Sequence, residues 1–327
     1  KEYLGQEVVP DSGCGSWLFE PQSTNTLTYS EDFSQWSALG SPVLTTGQLA
    51  PDGTLGATKI SGTIGTSLIY LNDQTSAFAA RSIYARTVSG TGTAKLMSNN
   101  ANTNNLFTLT EDWQRFEVNS SNAGGSNNFY VDFRDNSQTL SEFIIWGAQS
   151  EELTYSTSYI PTSGSTVTRN QDVCTNGGSL ASINSTEGVL YGEIASLSNE
   201  VPSNYISLSD GTYSNRISLM YSIGTNIIRA FLRVGGAPQA DLSVTVSDIT
   251  EFHKVAFKFK ENDFALWING VEVATDTSGS TLPSGTLTKL AFSEISTTGG
   301  LFRGKAKALA VWKEALSDEE LTELTTI

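Results

Sequence analysis

The stretch from Glu251 to Asp276, EFHKVAFKFKENDFALWINGVEVATD, leaves this chain the least structural freedom. Val255, Phe257 and Phe259 alternate with Lys254, Lys258 and Lys260, and Phe264, Leu266 and Ile268 alternate with Ala265, Trp267 and Asn269. That two-residue period belongs to half-buried strands. The polar Glu261-Asn262-Asp263 breaks the first pair of strands. Asn269-Gly270 breaks the second at the spacing of a type I′ turn, whose two central residues both need φ > 0. The spacing sets Ile268 against Val271, and Leu266 against Val273, on one face. Three antiparallel strands that are apolar on one side must bury that side against a second sheet, so the pattern predicts a β-sandwich.

At 327 residues the chain is too long for one sandwich of about 100 to 200 residues and comfortable for two. The hydrophobic share of 38% supports a core in each, and charged residues, at 16%, are scarce. The remainder is rich in Ser, Thr, Asn and Gly, which suit turns and strand faces. A net charge of −15 would repel a phosphate backbone, which argues against a nucleic-acid partner. No run of 18 apolar residues and no basic amphipathic helix occurs, so membrane insertion is not expected. The chain opens at Lys1 with neither an initiator Met nor a signal-peptide pattern, as expected of a chain either cut from something longer or recorded without its true start. Cys14 and Cys174 flank the first half, either as a disulfide closing a long loop or as two unrelated thiols. A bridge there would contribute about 5 kcal/mol in the chain-entropy model.

In chain order, residues 1–21 read as a connecting segment that ends in the strand Trp17-Leu18-Phe19. Across 22–169, strand-like runs recur at Thr26–Tyr29, Ala57–Ile60, Ser67–Leu71, Phe78–Arg86, Ala94–Ser98, Trp113–Asn119, Phe129–Phe133 and Phe143–Ala148. Turn signals lie between them and no helical period competes, which predicts a jelly roll. Residues 170–182 are polar and aperiodic and read as a linker. From 183 to 327 strands resume at Gly188–Ala195, Asn204–Ser209, Arg216–Tyr221, Ile227–Val234, Ala240–Val246 and Gly304–Trp312, with the hairpins described above. Ser317-Asp318-Glu319-Glu320 is a capping box that opens a short C-terminal helix over Leu321 and Leu324. The predicted fold class is therefore all-β: two tandem antiparallel β-sandwiches, a jelly roll and then a second sandwich, with one short helix.

Four segments of the first half, TNTLTYSEDFSQW (24–36), APDGTLGATKIS (50–61), LTEDWQRFEV (109–118) and IIWGAQSEELTYSTSYIPTSGSTVTR (144–169), resemble a module of tailed-phage virion proteins. That module is similar in turn to carbohydrate-binding jelly rolls. The order EGVLYGEIASL, YISLSDGTYSNRISLMYS, FHKVAFKFKENDFALWINGVEVATD and FRGKAKALAVWKEALSDEELTELTT resembles the concanavalin A-like, laminin-G-like lectin fold. The two resemblances imply a virion protein displayed on a tail fibre or capsid. Its partners would be other virion proteins and host cell-surface polysaccharide, and it would assemble as a homo-oligomer, a trimer being one form.

Catalysis finds little support in the residues. His253 is the only histidine and opens a strand between Phe252 and Lys254, away from any nucleophile motif. Zinc would need several closely spaced Cys or His ligands. Glycoside cleavage needs only two carboxylates, but Glu261-Asn262-Asp263 sits in a turn. Asp132 with Asp135, or Glu193 with Glu200, are explained as well by solvated faces. The jelly-roll resemblance implies a structural calcium near Glu31 and Asp32, although the last strand reads Ile145-Trp146-Gly147-Ala148 where a carboxylate is expected. Sugar recognition would use aromatic faces with Asn, Asp and Arg on the hydroxyls. Trp36 and Trp113 lie in motifs read as packing the sandwich. Tyr205, Tyr213, Asn215 and Arg216, around the turn Ser209-Asp210-Gly211, are the candidate glycan contacts, and an ordinary hairpin explains the same residues. Trp267, opposite Leu266, is a candidate for covering a neighbouring subunit. The resulting expectation is a non-enzymatic virion protein that binds host-surface glycan. The alternatives are a purely structural decoration protein and a polysaccharide depolymerase.

Overall fold

A computed structural model describes residues 15–73, 75, 79–98, 105–119, 128–175, 177–199, 204–222, 226–295 and 300–327. The chain divides into two compact units, one of residues 22–170 and one that combines the N-terminal segment up to Pro21 with 171–327. β1 (Trp17–Phe19), read from sequence as the end of a connecting segment, is a strand of the second unit.

The first unit holds β2 (Ser23–Asn25), β3 (Ser37–Leu39), β4 (Val43–Gln48), β5 (Ala57–Ser61), β6 (Leu68–Asn72) and β7 (Ala80–Arg86). It continues with β8 (Gly92–Ser98), β9 (Leu106–Leu109), β10 (Gln114–Val118), β11 (Asn128–Asp132), β12 (Glu142–Glu151) and β13 (Val167–Arg169). Two five-stranded antiparallel sheets, in the orders β10-β7-β12-β5-β4 and β3-β6-β11-β8-β9, face each other, and β13 pairs with β2. Ile60, Ile83, Phe143 and Ile145 from one sheet meet Ile69, Leu96, Phe129 and Val131 from the other, all buried, as a sandwich requires. The expected strand at Thr26–Tyr29 is displaced: the ladder lies at 23–25, and Tyr29 makes only an isolated bridge to Ser163.

Within the resembled segment 144–169, residues 149–160 form a set of internal staples. The Glu151 carboxylate, fully buried, accepts from Ser23 Oγ (2.6 Å), Gln149 Nε2 (2.7 Å), Thr157 N (2.9 Å) and Thr157 Oγ1. Gln149 Oε1 accepts from Ile160 N at 2.6 Å. Residues 157–160, which continue beyond β12, are thereby laid back along that strand.

The second unit holds β14 (Glu187–Ser196), β15 (Asn204–Ser209), β16 (Arg216–Tyr221), β17 (Ile227–Val234), β18 (Ala237–Thr245) and β19 (His253–Lys260). After these come β20 (Asp263–Ile268), β21 (Val271–Asp276), β22 (Lys289–Ala291), β23 (Gly304–Trp312) and α1 (Asp318–Thr325). A six-stranded sheet, β1-β23-β14-β19-β20-β21, packs on a five-stranded one, β18-β17-β16-β15-β22. Phe257, Phe259, Phe264 and Leu266 from the first meet Ile206, Ile217, Leu219 and Leu232 from the second.

The central hairpins form as the pattern predicts, with Asn269 at φ 51° and Gly270 at φ 84° in the type I′ turn. One register differs. Leu266 pairs with Ala274 rather than Val273, because the ladder shifts between Leu266 and Trp267. Trp267 is 5% exposed and lies under the protein's own helix, in a cluster with Val189, Tyr191 and Leu321. The candidate subunit contact is therefore already covered. The Ser317 capping box holds that helix, with Ser317 N donating to Glu320 Oε2 at 2.8 Å. The expected linker at 170–182 is bound into this unit at several points: Gly177 bridges Leu290, and Phe292 N donates to Cys174 O at 2.9 Å. Cys174 is a free, half-buried thiol whose pKa burial pushes up. Cys14, the other half of the candidate disulfide, lies outside the described residues.

Candidate functional site

In β15, β16 and β17 the residues alternate between the core and the opposite side of the five-stranded sheet. Ile206, Leu208, Ile217, Leu219, Ile228, Ala230 and Leu232 enter the core. Strand pleating then places Tyr205, Arg216, Ser218, Arg229, Phe231 and Arg233 on the other face. The register brings them together: Arg216 lies opposite Arg233, Ser218 opposite Phe231, and Tyr205 opposite Met220, which itself lies opposite Arg229.

Phe231 is the hub. The guanidinium carbons of Arg216, Arg229 and Arg233 sit 4.9, 5.5 and 6.0 Å from its ring centre, and Tyr205 meets its edge at 6.3 Å. Arg216 also lies over Tyr213, 5.4 Å from that ring's centre, donates to the Tyr213 carbonyl, and pairs with Glu294 at 2.7 Å. Burial lowers its pKa from the usual guanidinium value, Glu294 opposes that and Arg233 adds to it. Arg229 pairs with Asp241. Tyr213 stands out at 49% exposed, a ring free to meet a ligand.

Two turns rim this face. Asn215 joins them: its Nδ2 donates to Asp210 Oδ2 at 2.8 Å and its Oδ1 accepts from Gly235 N at 2.9 Å. Gly235 and Gly236, at φ 58° and 85°, form the turn between β17 and β18. For Asp210, burial works upward, but the hydrogen bonds from Asn215 and Thr212 outweigh it and hold the carboxyl below its usual range.

Of the four residues expected as glycan contacts, Tyr205, Tyr213 and Arg216 do share one face. Asn215 lies at the rim, where its Nδ2 and Oδ1 each hold one of the two turns. Arg216, at 3% exposed, underlies the surface rather than projecting from it. Arg229, Phe231 and Arg233 were missed. Their signal is the alternation Arg229-Ala230-Phe231-Leu232-Arg233, which sets three non-core residues on one face.

The other candidates have structural partners. Glu31 accepts from the Tyr159 hydroxyl at 2.9 Å, and Asp32 caps the turn at 33–35 through Ser34. Among the described residues no group of three or more His, Cys, Asp or Glu gathers. Glu31 and Asp32 are thus each engaged in a hydrogen bond within the unit. Trp36 is core, its Nε1 donating to Tyr29 O at 2.9 Å. Trp113 corrects its expected placement: it lies in a separate cluster with Ala57, Ile144 and Trp146, outside the sandwich core. His253 is buried, with Nδ1 2.9 Å from Glu251 O. Asp132 pairs with Arg134, Asp135 with Lys95, and Glu193 with Lys307. Glu261 occupies the tight turn between β19 and β20. Glu200 lies outside the described residues.

Residues 196–322 match the model of the concanavalin A-like lectin/glucanases superfamily, of laminin G type. No curated protein sequence matches the chain. Solved structures similar to it include the IT-sialidase CBM40 of Ruminococcus gnavus bound to α2,3-sialyllactose, at 19% identity and TM-score 0.38, covering 43% of this chain and 83% of that one. The leech intramolecular trans-sialidase is 21% identical with TM-score 0.38, covering 43% of this chain and 23% of that one. A pentraxin of Limulus polyphemus is 13% identical with TM-score 0.35, covering 45% of this chain and 72% of that one.

Proposed function

We propose that the protein is a non-enzymatic glycan-binding protein whose site is the Tyr205–Tyr213–Phe231 face of its C-terminal unit. The observation that carries the reading is the concentration of three aromatic rings and three guanidiniums on one side of one sheet, with Tyr213 open to solvent. The exposed ring of Tyr213 can stack on the apolar side of a pyranose while Arg229 and Arg233 donate to its oxygens, with buried Phe231 and Arg216 beneath them. The match of residues 196–322 to a lectin-containing superfamily supports the same reading.

The setting follows from the resemblances of the first half: a phage virion protein on a tail fibre or capsid, contacting host polysaccharide during adsorption. Weak single sites would suffice on a particle that displays many copies. Asp132, Asp135 and Glu193 hold ion pairs with Arg134, Lys95 and Lys307, which favours binding over cleavage.

The test is binding of the full chain, displayed multimerically, to a panel of immobilised surface polysaccharides. Binding that Tyr213→Ala abolishes without shifting Tm supports the proposal. No binding to any saccharide favours the purely structural role, and release of oligosaccharide would turn the reading to a depolymerase.

A further inference from the structure

The face carries a charge arrangement that a neutral sugar would not need. Lys289, Ser209, Arg216 and Arg233 form one continuous row across β22, β15, β16 and β17. Adjacent strands lie about 4.8 Å apart, so Arg216 and Arg233 are direct cross-strand neighbours of like charge, a pairing that destabilises a sheet. Four cations border this face: Arg216, Arg229, Arg233 and Lys289. The carboxylates there are Asp210, Asp241 and Glu294. Asp241 and Glu294 are taken by Arg229 and Arg216, and Asp210 by Asn215 and Thr212. Arg233 and Lys289 have no ion-pair partner among the described residues. This local excess sits on a chain of net charge −15, where acidic partners are abundant. Beneath it, Arg216 Nε and Ser218 Oγ are buried without a hydrogen-bond partner, two residues apart on the same face of β16.

We infer that the face binds an acidic saccharide, its carboxylate or sulfate group held by Arg233 and drawn in by the added positive field of Lys289 at the other end of the row, while the sugar ring lies on Tyr213. The inference rests on the glycan-binding reading and adds the ligand's charge. An anion bound at Arg233 relieves its repulsion with Arg216, its direct cross-strand neighbour. The forked guanidinium of Arg233 matches a planar carboxylate or two sulfate oxygens better than a neutral hydroxyl.

The experiment uses the full chain, multimerically displayed, against polygalacturonate, a 3′-sialyllactose conjugate and chondroitin sulfate, with dextran and a lactose conjugate as neutral arms. The expected result is binding in at least one acidic arm that exceeds the neutral arms and weakens with added salt. The double variant Arg233→Gln/Lys289→Gln should lose about tenfold or more of it, and Arg233→Lys should keep part. Which acidic arm responds separates uronate, sialate and sulfate sources. Arg233→Gln relieves a like-charge pair and gives up the contact with Phe231, so its unliganded Tm should stay close to the parent's; lost acidic binding without a large Tm change supports the inference, and loss only in a variant that no longer folds overturns it. Equal binding of neutral and acidic arms, or acidic binding indifferent to the double variant, also overturns it while leaving the lectin reading intact. No binding in any arm removes the lectin reading itself.

Discussion

Glu151 offers a demanding test of how the first unit is held together. Glu151→Ala removes the acceptor of four hydrogen bonds in a site closed to solvent. Gln149 Nε2 has other acceptors nearby in Thr157 O (3.2 Å) and Ser158 O (3.4 Å), and Thr157 Oγ1 can turn to Ser158 O at 3.5 Å. The Thr157 N–H and the Ser23 hydroxyl lose the acceptor that held them. At about 1–3 kcal/mol for each orphaned group, the loss should be about 3–4 kcal/mol. Glu151→Gln behaves differently. Oε1 faces only hydroxyls, from Ser23 and Thr157, and hydroxyls can turn to accept from an amide N–H. Oε2, which faces the two N–H donors, is matched by the amide oxygen. Only charge assistance is lost, about 1–2 kcal/mol. Urea unfolding followed by tryptophan fluorescence should show the transition of the first unit falling by roughly 1.5–2 M for Ala and by less than about 1 M for Gln. Equal damage from the two variants, or an Ala variant within about 1 kcal/mol of the parent, would refute the hydrogen-bond argument.

Further outcomes follow for the second unit and for the titrating groups. Ser317→Ala should cost the second unit about 1 kcal/mol by removing the capping box, and Leu321→Ala about 2–4 kcal/mol by opening a cavity over Trp267, both read by chemical denaturation. The Lys95 hydrogen bond, helped by Ser137, holds the Asp135 carboxyl well below its usual range, so Lys95→Met should return it toward that range in an NMR titration. Asp210 has a depressed folded pKa, so its contribution to the rim is present above the ordinary carboxylate value and is lost as pH falls through the depressed one. Binding of a sulfated or neutral probe should hold down to the ordinary carboxylate range, about pH 4, and weaken only below it, and Asp210→Asn should remove that dependence. With Glu31 and Asp32 committed to Tyr159 and Ser34, chelation should leave Tm unchanged.

The strands of the second unit were legible where one face is buried and the turns are tight. Asn204–Ser209, Arg216–Tyr221, Ile227–Val234 and Gly304–Trp312 form with the bounds their alternation implies. Ser37–Leu39 and Val43–Gln48 were not legible, because as edge strands they bury no complete face and so carry no alternation. Trp113 was misplaced because a large aromatic beside a strand-like run reads as core; it lies just before β10 and packs on the Ala57, Ile144 and Trp146 cluster instead. Part of the candidate site lay in local pattern, since Arg229, Phe231 and Arg233 are the non-core set of one strand. Lys289 and Glu294 reach it from a segment about 80 positions beyond Ser209, through the pairing of β15 with β22, and no local period announces that.

Where a saccharide touches the chain can be measured directly. Amide hydrogen exchange, with and without a polysaccharide found to bind, should show new protection centred on Tyr205–Ser209, Tyr213–Met220 and Arg229–Arg233. Protection confined to residues 22–170, or to the six-stranded sheet and its helix, would contradict the placement of the site.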